Sequence, residues 1–520
     1  MKKVKRSFAL AVAAIFILAM ALSGCGSVDQ TASTTAPAAT TAAGTTAAAT
    51  TEASAPAKLT WYLVGPRQEP DTDKIEAEAA KYMKEKLNLD YTVDLTVLGY
   101  GDPYNQKVNT MLAAGDPFDI CFTAGWAADI KTNSTSGYFK PLDDYLAKDS
   151  TITDIVGADF LNATKIGGHF YAVPCHKEMV HNWGYIVQQK YADKYALNPK
   201  AITKMEDLEP FFDKILAGEP GITPIASSEM ENPYRFLDWD VFGDNDAPGA
   251  LYPNNNADNI KVVNQWTAPE TVAFYKKMRE YNQKGYLAKD AATAVNFNDL
   301  ISSGKYAACE QSLKPGKDKE MKSSTGGIDW VQVDVTKPVM SNNDISGGAL
   351  LAIPTASKNP DAAFKFITLL YTDKFLNNLF VYGIEGTHYN KVTDNSVTVL
   401  GGDKSGYAAG NGWRFGDQFL NYIIDGVEAP DKWEQFKQFN SSATSLKSCG
   451  FAYDKTAVET EYAACKAVVQ TYYKQLLAGA VADVDGTVTK MANELNKSGA
   501  EKVIADMQKQ YDAWRAANGK

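Results

Sequence analysis

Residues 59–64 read LTWYLV and residues 118–122 read FDICF, and the chain between them decides the fold. An uninterrupted apolar run such as LTWYLV suits a strand covered on both faces, the setting of a parallel sheet. After it Ile75, Ala79, Tyr82 and Leu87 recur at helical spacing, with Asp73 and Glu76 placed as a capping box and Asn88 as a stop. Residues 89–97 then alternate: Leu89, Tyr91, Val93, Leu95 and Val97 are apolar, and Asp90, Thr92, Asp94 and Thr96 polar. That period predicts a strand with one face partly solvated. A second helix over 103–114 stops at Gly115-Asp116-Pro117, and FDICF supplies a third strand. Strand, helix, strand, helix, strand is the order of an α/β lobe.

Downstream the order is less regular until about residue 400, where long helices take over. Thr456 with Glu459 and Ser498 with Glu501 read as helix starts, and Val503, Ile504, Met507, Tyr511 and Trp514 mark an amphipathic face on the last helix. No repeat of fixed period is present, which excludes a solenoid.

Upstream, Lys2, Lys3, Lys5 and Arg6 precede the apolar run Phe8–Leu22, which ends in LSGC at 22–25. A bilayer span needs roughly 20 apolar residues, so this shorter run reads as a secretory signal over 1–24. Its removal takes four positive charges and no negative ones, and the net charge falls from −10 to −14. Residues 25–57 are Cys25 and then, from Gly26 to Ala57, little but Thr, Ala and Ser, too little apolar surface to fold, and read as a tether. The folded part is 58–520. Its share of a 520-residue chain that is 45% hydrophobic and 22% charged is large enough for at least two lobes.

Several function classes are excluded. No basic stretch lies beyond residue 6, which argues against nucleic acid as a partner. G-x-S-x-G, H-E-x-x-H, the P-loop and the dinucleotide fingerprint are all missing, so no enzyme and no cofactor is expected. Cys175, His176 and His181, with His169 nearby, are a poor basis for a metal site in a chain with four histidines. Asp244, Asp246 and the run Asn254–Asp258 read as a solvated turn, because Ala247-Pro248 breaks calcium-loop spacing. Of the cysteines beyond Cys25, Cys121 and Cys309 sit in apolar strand-like runs as core, while Cys449 and Cys465 leave a disulfide open in an extracytoplasmic protein.

LAAGDPFDICFTAGW at 112–126, GYFKPLDDYL at 137–146 and GGHFYAVPCHKE at 167–178 resemble the extracellular solute-binding proteins of family 1, the receptors of ABC importers. YGIEGTHYN at 382–390, WRFGDQFLNY at 413–422 and KVIADMQKQYDAW at 502–514 resemble the LipO-type subgroup, with its C-terminal domain of unknown function. LSGC resembles a bacterial lipobox. The resemblance implies a diacylglycerol on Cys25 that anchors the protein to the extracellular face of the cytoplasmic membrane. It implies an α/β, two-lobed periplasmic-binding-protein-like fold of type II with hinge crossovers and a helical C-terminal region. One lobe would take 58–174 plus 350–389 and the other 175–349 plus 390–520, with crossovers at Tyr171–Glu178, at Ser346–Ile353 and after Tyr389. A monomer closing on a small solute, a carbohydrate or oligosaccharide, and presenting it to permease subunits is the implied function. The alternatives are a glycan-processing or glycan-adhering surface lipoprotein and an oligopeptide receptor. Where the subgroup has Gly-Asn-Gln this chain has Gly416-Asp417-Gln418, which puts ligand identity in doubt if that position touches ligand.

A sugar cleft needs aromatic faces and paired hydrogen-bonding side chains. Trp126 follows the third strand, and Arg67 in GPRQEP follows the first, both at the edge where open α/β sheets bind ligands. Trp239-Asp240 and Trp413-Arg414 pair an aromatic with a charge beside turn residues. Glu178, past the first crossover, and Glu310, ending a strand, are candidate acceptors, and His388-Tyr389 lie near a crossover. Trp61, Trp433 and Trp514 are assigned to packing.

Overall fold

In the computed structural model, strand β1 (Ala57–Val64) carries LTWYLV into the middle of a five-stranded sheet. The structure describes residues 55–226, 233–252, 260–293, 297–341, 348–401, 405–407 and 410–519. The signal, Cys25 and most of the tether lie outside these, as does the run Asn254–Asp258. Ala53–Lys520 forms one compact unit, within which there is more than one core.

The alternating stretch becomes β2 (Tyr91–Leu98), parallel to β1 on one side, and β3 (Ile120–Thr123) runs parallel to β1 on the other. Helix α1 (Thr72–Leu87) joins β1 to β2, and α2 (Asp102–Ala114) joins β2 to β3. Both end in the left-handed conformation, at Asn88 (φ +56°) and Gly115 (φ +70°). The expected capping box at the start of α1 is absent. Glu76 instead accepts the Leu95 N–H at 2.7 Å, tying α1 to β2. Strand Leu350–Ala352 adds antiparallel to β3, and β4 (Ala172–Pro174) closes the far edge. Because β2 and β3 lie on opposite sides of β1, the winding reverses at β1. A crevice opens there beyond the carboxyl ends of the strands.

Trp61 shows why the uninterrupted run is buried: its indole meets Phe366, Phe380 and Phe415 edge-on at 5.5–5.7 Å. Helices Pro360–Thr372 and Lys374–Tyr382 pack into this first core. Val397, Tyr407, Phe415 and Tyr422 pack there too. The division expected after Tyr389 therefore falls later, because the apolar residues between 390 and 424 bury against the first core.

A second sheet holds β5 (Asn182–Gln188) between strands Trp330–Asp334 and Tyr306–Leu313, with β6 (Thr223–Ala226) at the edge. Helices Glu459–Leu477 and Val484–Lys497 pack into this second core through Cys465, Val469, Leu476, Met491 and Leu495. Helix Ala500–Ala517 lays Val503, Met507 and Tyr511 on a smaller cluster with Phe242, Leu251 and Val262. Ser498 does not cap it. Ser498 ends the preceding helix, and Gly499 (φ +91°) turns the chain.

Three segments run between the cores and pair with one another. His181 and Val339 exchange backbone hydrogen bonds at 2.8 and 3.1 Å, and the Thr444 and Leu446 N–H groups donate to Pro338 and Met340. The Asn440 side chain accepts from the Met179 N–H and donates to the Lys177 carbonyl, each at 2.8 Å. Cys449 and Cys465 do not pair as a disulfide; Cys465 is buried beside the carbonyls of Leu495 and Ser498. Among the described residues no helix is long and apolar enough to cross a membrane.

Candidate functional site

The crevice at the carboxyl edge of the first sheet carries an aromatic surface. Tyr100 follows β2, and Trp126 follows β3; both stay exposed, at 46% and 43%, although each is a large ring that burial would favour. Their rings lie 6.4 Å apart, and Trp126 stands 6.1 Å from Trp413. Phe122 backs both indoles at 5.4 and 5.7 Å, which fixes their tilt. The Trp126 Nε1–H donates to the Gly348 carbonyl at 3.2 Å, so the ring is oriented at its polar end while its face remains open.

Arg414 lies beneath this surface. Its Nη1 donates to the Val64 carbonyl at 2.5 Å and its Nε to the Asn411 carbonyl at 3.2 Å, extending the end of β1. Gly65 makes room for it, because a Cβ at that position would stand 2.3 Å from Arg414 Nη1 and one of the two would have to shift. Arg67 and Arg414 line one small crevice of about 20 Å³, room for about one water. Arg67 is half-exposed, with Glu69 at 3.6 Å.

From Gly348 the surface continues to the second core. Lys177 comes within about 4 Å of the Cβ position of Gly348 and bonds Glu178 at 3.2 Å. Glu178 also takes Lys314 at 3.1 Å, just past the end of strand Tyr306–Leu313. Burial alone would raise the Glu178 carboxyl; the Lys177 and Lys314 ammonium groups outweigh it and hold the group down at about 2. Glu178 is thus a fixed anion joining the two cores.

Beyond it, the Arg235 guanidinium lies 4.0 Å from the Trp183 ring at the start of β5. Glu310 faces Tyr185 across the strand pair and is buried, which pushes its carboxyl up to about 8 against the pull of Arg235. Burial thus favours its protonated form, which donates as well as accepts.

Of the ten ligand-facing residues expected, the structure gathers Arg67, Trp126, Trp413, Arg414 and Glu178 into one surface, with Glu310 buried behind its second-core end. Four go elsewhere. Trp239 is buried, its Nε1–H donating to Thr271 Oγ1 at 3.1 Å and its ring against Tyr252. Asp240 is buried on the Ser448 N–H and hydroxyl. His388 is fully buried, accepting the Ile384 N–H at Nδ1 and donating from Nε2 to Asp71 at 3.2 Å. Tyr389 packs between Tyr382 and Tyr422. Each has its polar atoms or ring consumed by packing, so none presents a face to solute. Asp417 likewise serves the fold, capping Phe419 and accepting from His176 Nδ1 at 3.0 Å.

Tyr100, Lys177 and Lys314 belong to the surface and were missed, as was Arg235, which lies over the buried Trp183 ring. Tyr100 carried a signal: an aromatic between Gly99 and Gly101 directly after a strand is placed as Trp126 is.

The model of the family described as bacterial extracellular solute-binding protein matches residues 67–375, and that of a domain of unknown function matches 447–516. A carbohydrate ABC transporter substrate-binding protein of Streptococcus pneumoniae is 26% identical over 512 residues, 98% of each chain. The crystal structure of the N-glycan transport solute binding protein from Streptococcus pneumoniae superposes with a TM-score of 0.78 at 25% identity, covering 88% of this chain and 99% of that one. Its complex with Man5GlcNAc gives a TM-score of 0.69 at 25% identity, covering 88% of this chain and 98% of that one.

Proposed function

The chain belongs to the bacterial extracellular solute-binding proteins and has their two-lobed type II fold, and on that footing we propose that it is the carbohydrate receptor of an ABC importer. The observation that carries the reading is the aromatic row of exposed Tyr100 and Trp126 with half-buried Trp413, continued through Lys177 and Glu178 to Lys314 on the second core. Flat indoles stack on the C–H faces of sugar rings, and the charged groups beside them bond hydroxyls. A ligand that touches both cores gains more from their approach than from either alone, and this is how loading becomes a signal to a permease. The exported chain is held at the extracellular face by a lipid on Cys25, with the Thr/Ala/Ser stretch as spacer.

Calorimetry of the full chain against oligosaccharides and peptides, with the sugars then analysed for cleavage, tests this. Binding of an oligosaccharide without cleavage products is expected. Cleavage would make it an enzyme, and binding of peptides alone would overturn the sugar assignment. For the anchor, a palmitate analogue labels the wild type and not Cys25→Ser; equal labelling would refute it.

A further inference from the structure

A second cavity, of about 820 Å³, lies on the other side of the connecting segments. Its walls include Lys165 and Gly167–Gly168, which precede β4, whereas the aromatic surface is reached from beyond the opposite end of that strand. Met340, Ser445 and Leu446 of the connecting segments and Trp514 of the last helix line it as well. No residue of the aromatic surface lines it. The volume is within the roughly 300–1,000 Å³ of small-molecule sites.

The chemistry of the lining is specific. Trp514 is half-buried, its ring lying parallel to Tyr511 at 5.8 Å, so the ring is braced from behind. Gly450 (φ +93°) lies beside the indole, where a Cβ would stand 3.4 Å from Trp514 Cζ2. Gly167 and Gly168 present bare backbone to open space. Asn162, Asn518 and Asp159 bring amides and a carboxylate to the rim, with one cation, Lys165. An aromatic face ringed by planar hydrogen-bonding groups, with little net charge, matches the alternation of C–H faces and hydroxyls on a neutral pyranose. We propose that this cavity is a second saccharide site, separate from the one between the aromatic surface and Lys314.

Cys449 lines the cavity and supplies the readout, being the one cysteine of the described residues that is not fully buried. The experiment measures alkylation of Cys449 in the full-length Cys25→Ser chain, with mannose, galactose, glucose and N-acetylglucosamine each at millimolar concentration. At least one sugar is expected to slow alkylation threefold or more. The protection should persist in Trp126→Ala/Trp413→Ala, which removes the first surface, and vanish in Ala513→Trp, which places an indole into the cavity from an exposed helical position. Alkylation unchanged by every sugar overturns the proposal. So does protection that disappears with Trp126 and Trp413, since it would then be relayed from the first surface. Thermal unfolding of Ala513→Trp at the wild-type temperature verifies that the loss is local.

Discussion

Trp126 and Trp239 are the same residue type in opposite situations, and they separate function from packing. Trp126 keeps an open face, whereas Trp239 is 2% exposed with its Nε1–H bonded. Trp126→Ala should weaken saccharide binding about tenfold with a near-normal melting temperature, since an aromatic contact is worth about 0.5–1.5 kcal/mol beyond its area. Trp239→Ala should cost about 3–5 kcal/mol of stability, the range for a buried aromatic, and leave affinity unchanged in the folded fraction. Calorimetry and thermal unfolding of both variants check the pair. Glu310 makes a pH prediction of definite sign. Its carboxyl rises from an ordinary 4.5 to about 8 in the folded chain, so between these values the folded state holds a proton the unfolded state lacks. Stability therefore falls as pH rises across that window. Asp238 and Asp240, both pushed up by burial to about 6, act the same way over a lower range. Glu310→Gln should thus raise the melting temperature more at pH 8 than at pH 5, and an equal gain at both would contradict the buried acid. Glu178 has the opposite sign: held at about 2, it stabilises above its ordinary range, and that contribution is lost as pH falls toward 2.

At the scale of elements, the first sheet was legible because its periods are clean: LTWYLV, the alternation of 89–97 and two helices closed by Asn88 and Gly115 each point to one structure. Its ligand edge followed from the same reading, since a residue just after a parallel strand must stand at the carboxyl end of the sheet. What the sequence did not carry was the path of the chain beyond residue 340. Strands there are two to five residues long, too short for a period, and partner choice is made by the cores they meet. Trp239, Asp240, His388 and Tyr389 failed for a related reason: an aromatic beside a charge near glycines reads alike in a cleft and in a tightly packed turn. The last helix was legible in its apolar stripe but not in what it covers. Met507 packs in the cluster of Phe242, Leu251 and Val262, and its Sδ stands 2.2 Å from a Cβ placed at Gly249, so the strand and helix touch without room for a side chain. Met507→Ala should cost about 2–5 kcal/mol, read by thermal unfolding, with saccharide affinity at the aromatic surface unchanged.

At the scale of the molecule, the hydrogen bonds of Asn440, His181 and Val339 hold the three connecting segments together, and on the proposed reading the two cores approach about them. Small-angle scattering should show a smaller radius of gyration at saturating sugar, and no change in Trp126→Ala/Trp413→Ala under the same conditions. The most direct measurement is a crystal structure of the chain with its saccharide bound. A sugar ring against the Trp126 face, with Lys314 or its neighbours on the second core within hydrogen-bonding distance of the same ligand, is the predicted result. Sugar bound by one core alone, or in the cavity beside Trp514 with the aromatic surface empty, would contradict it.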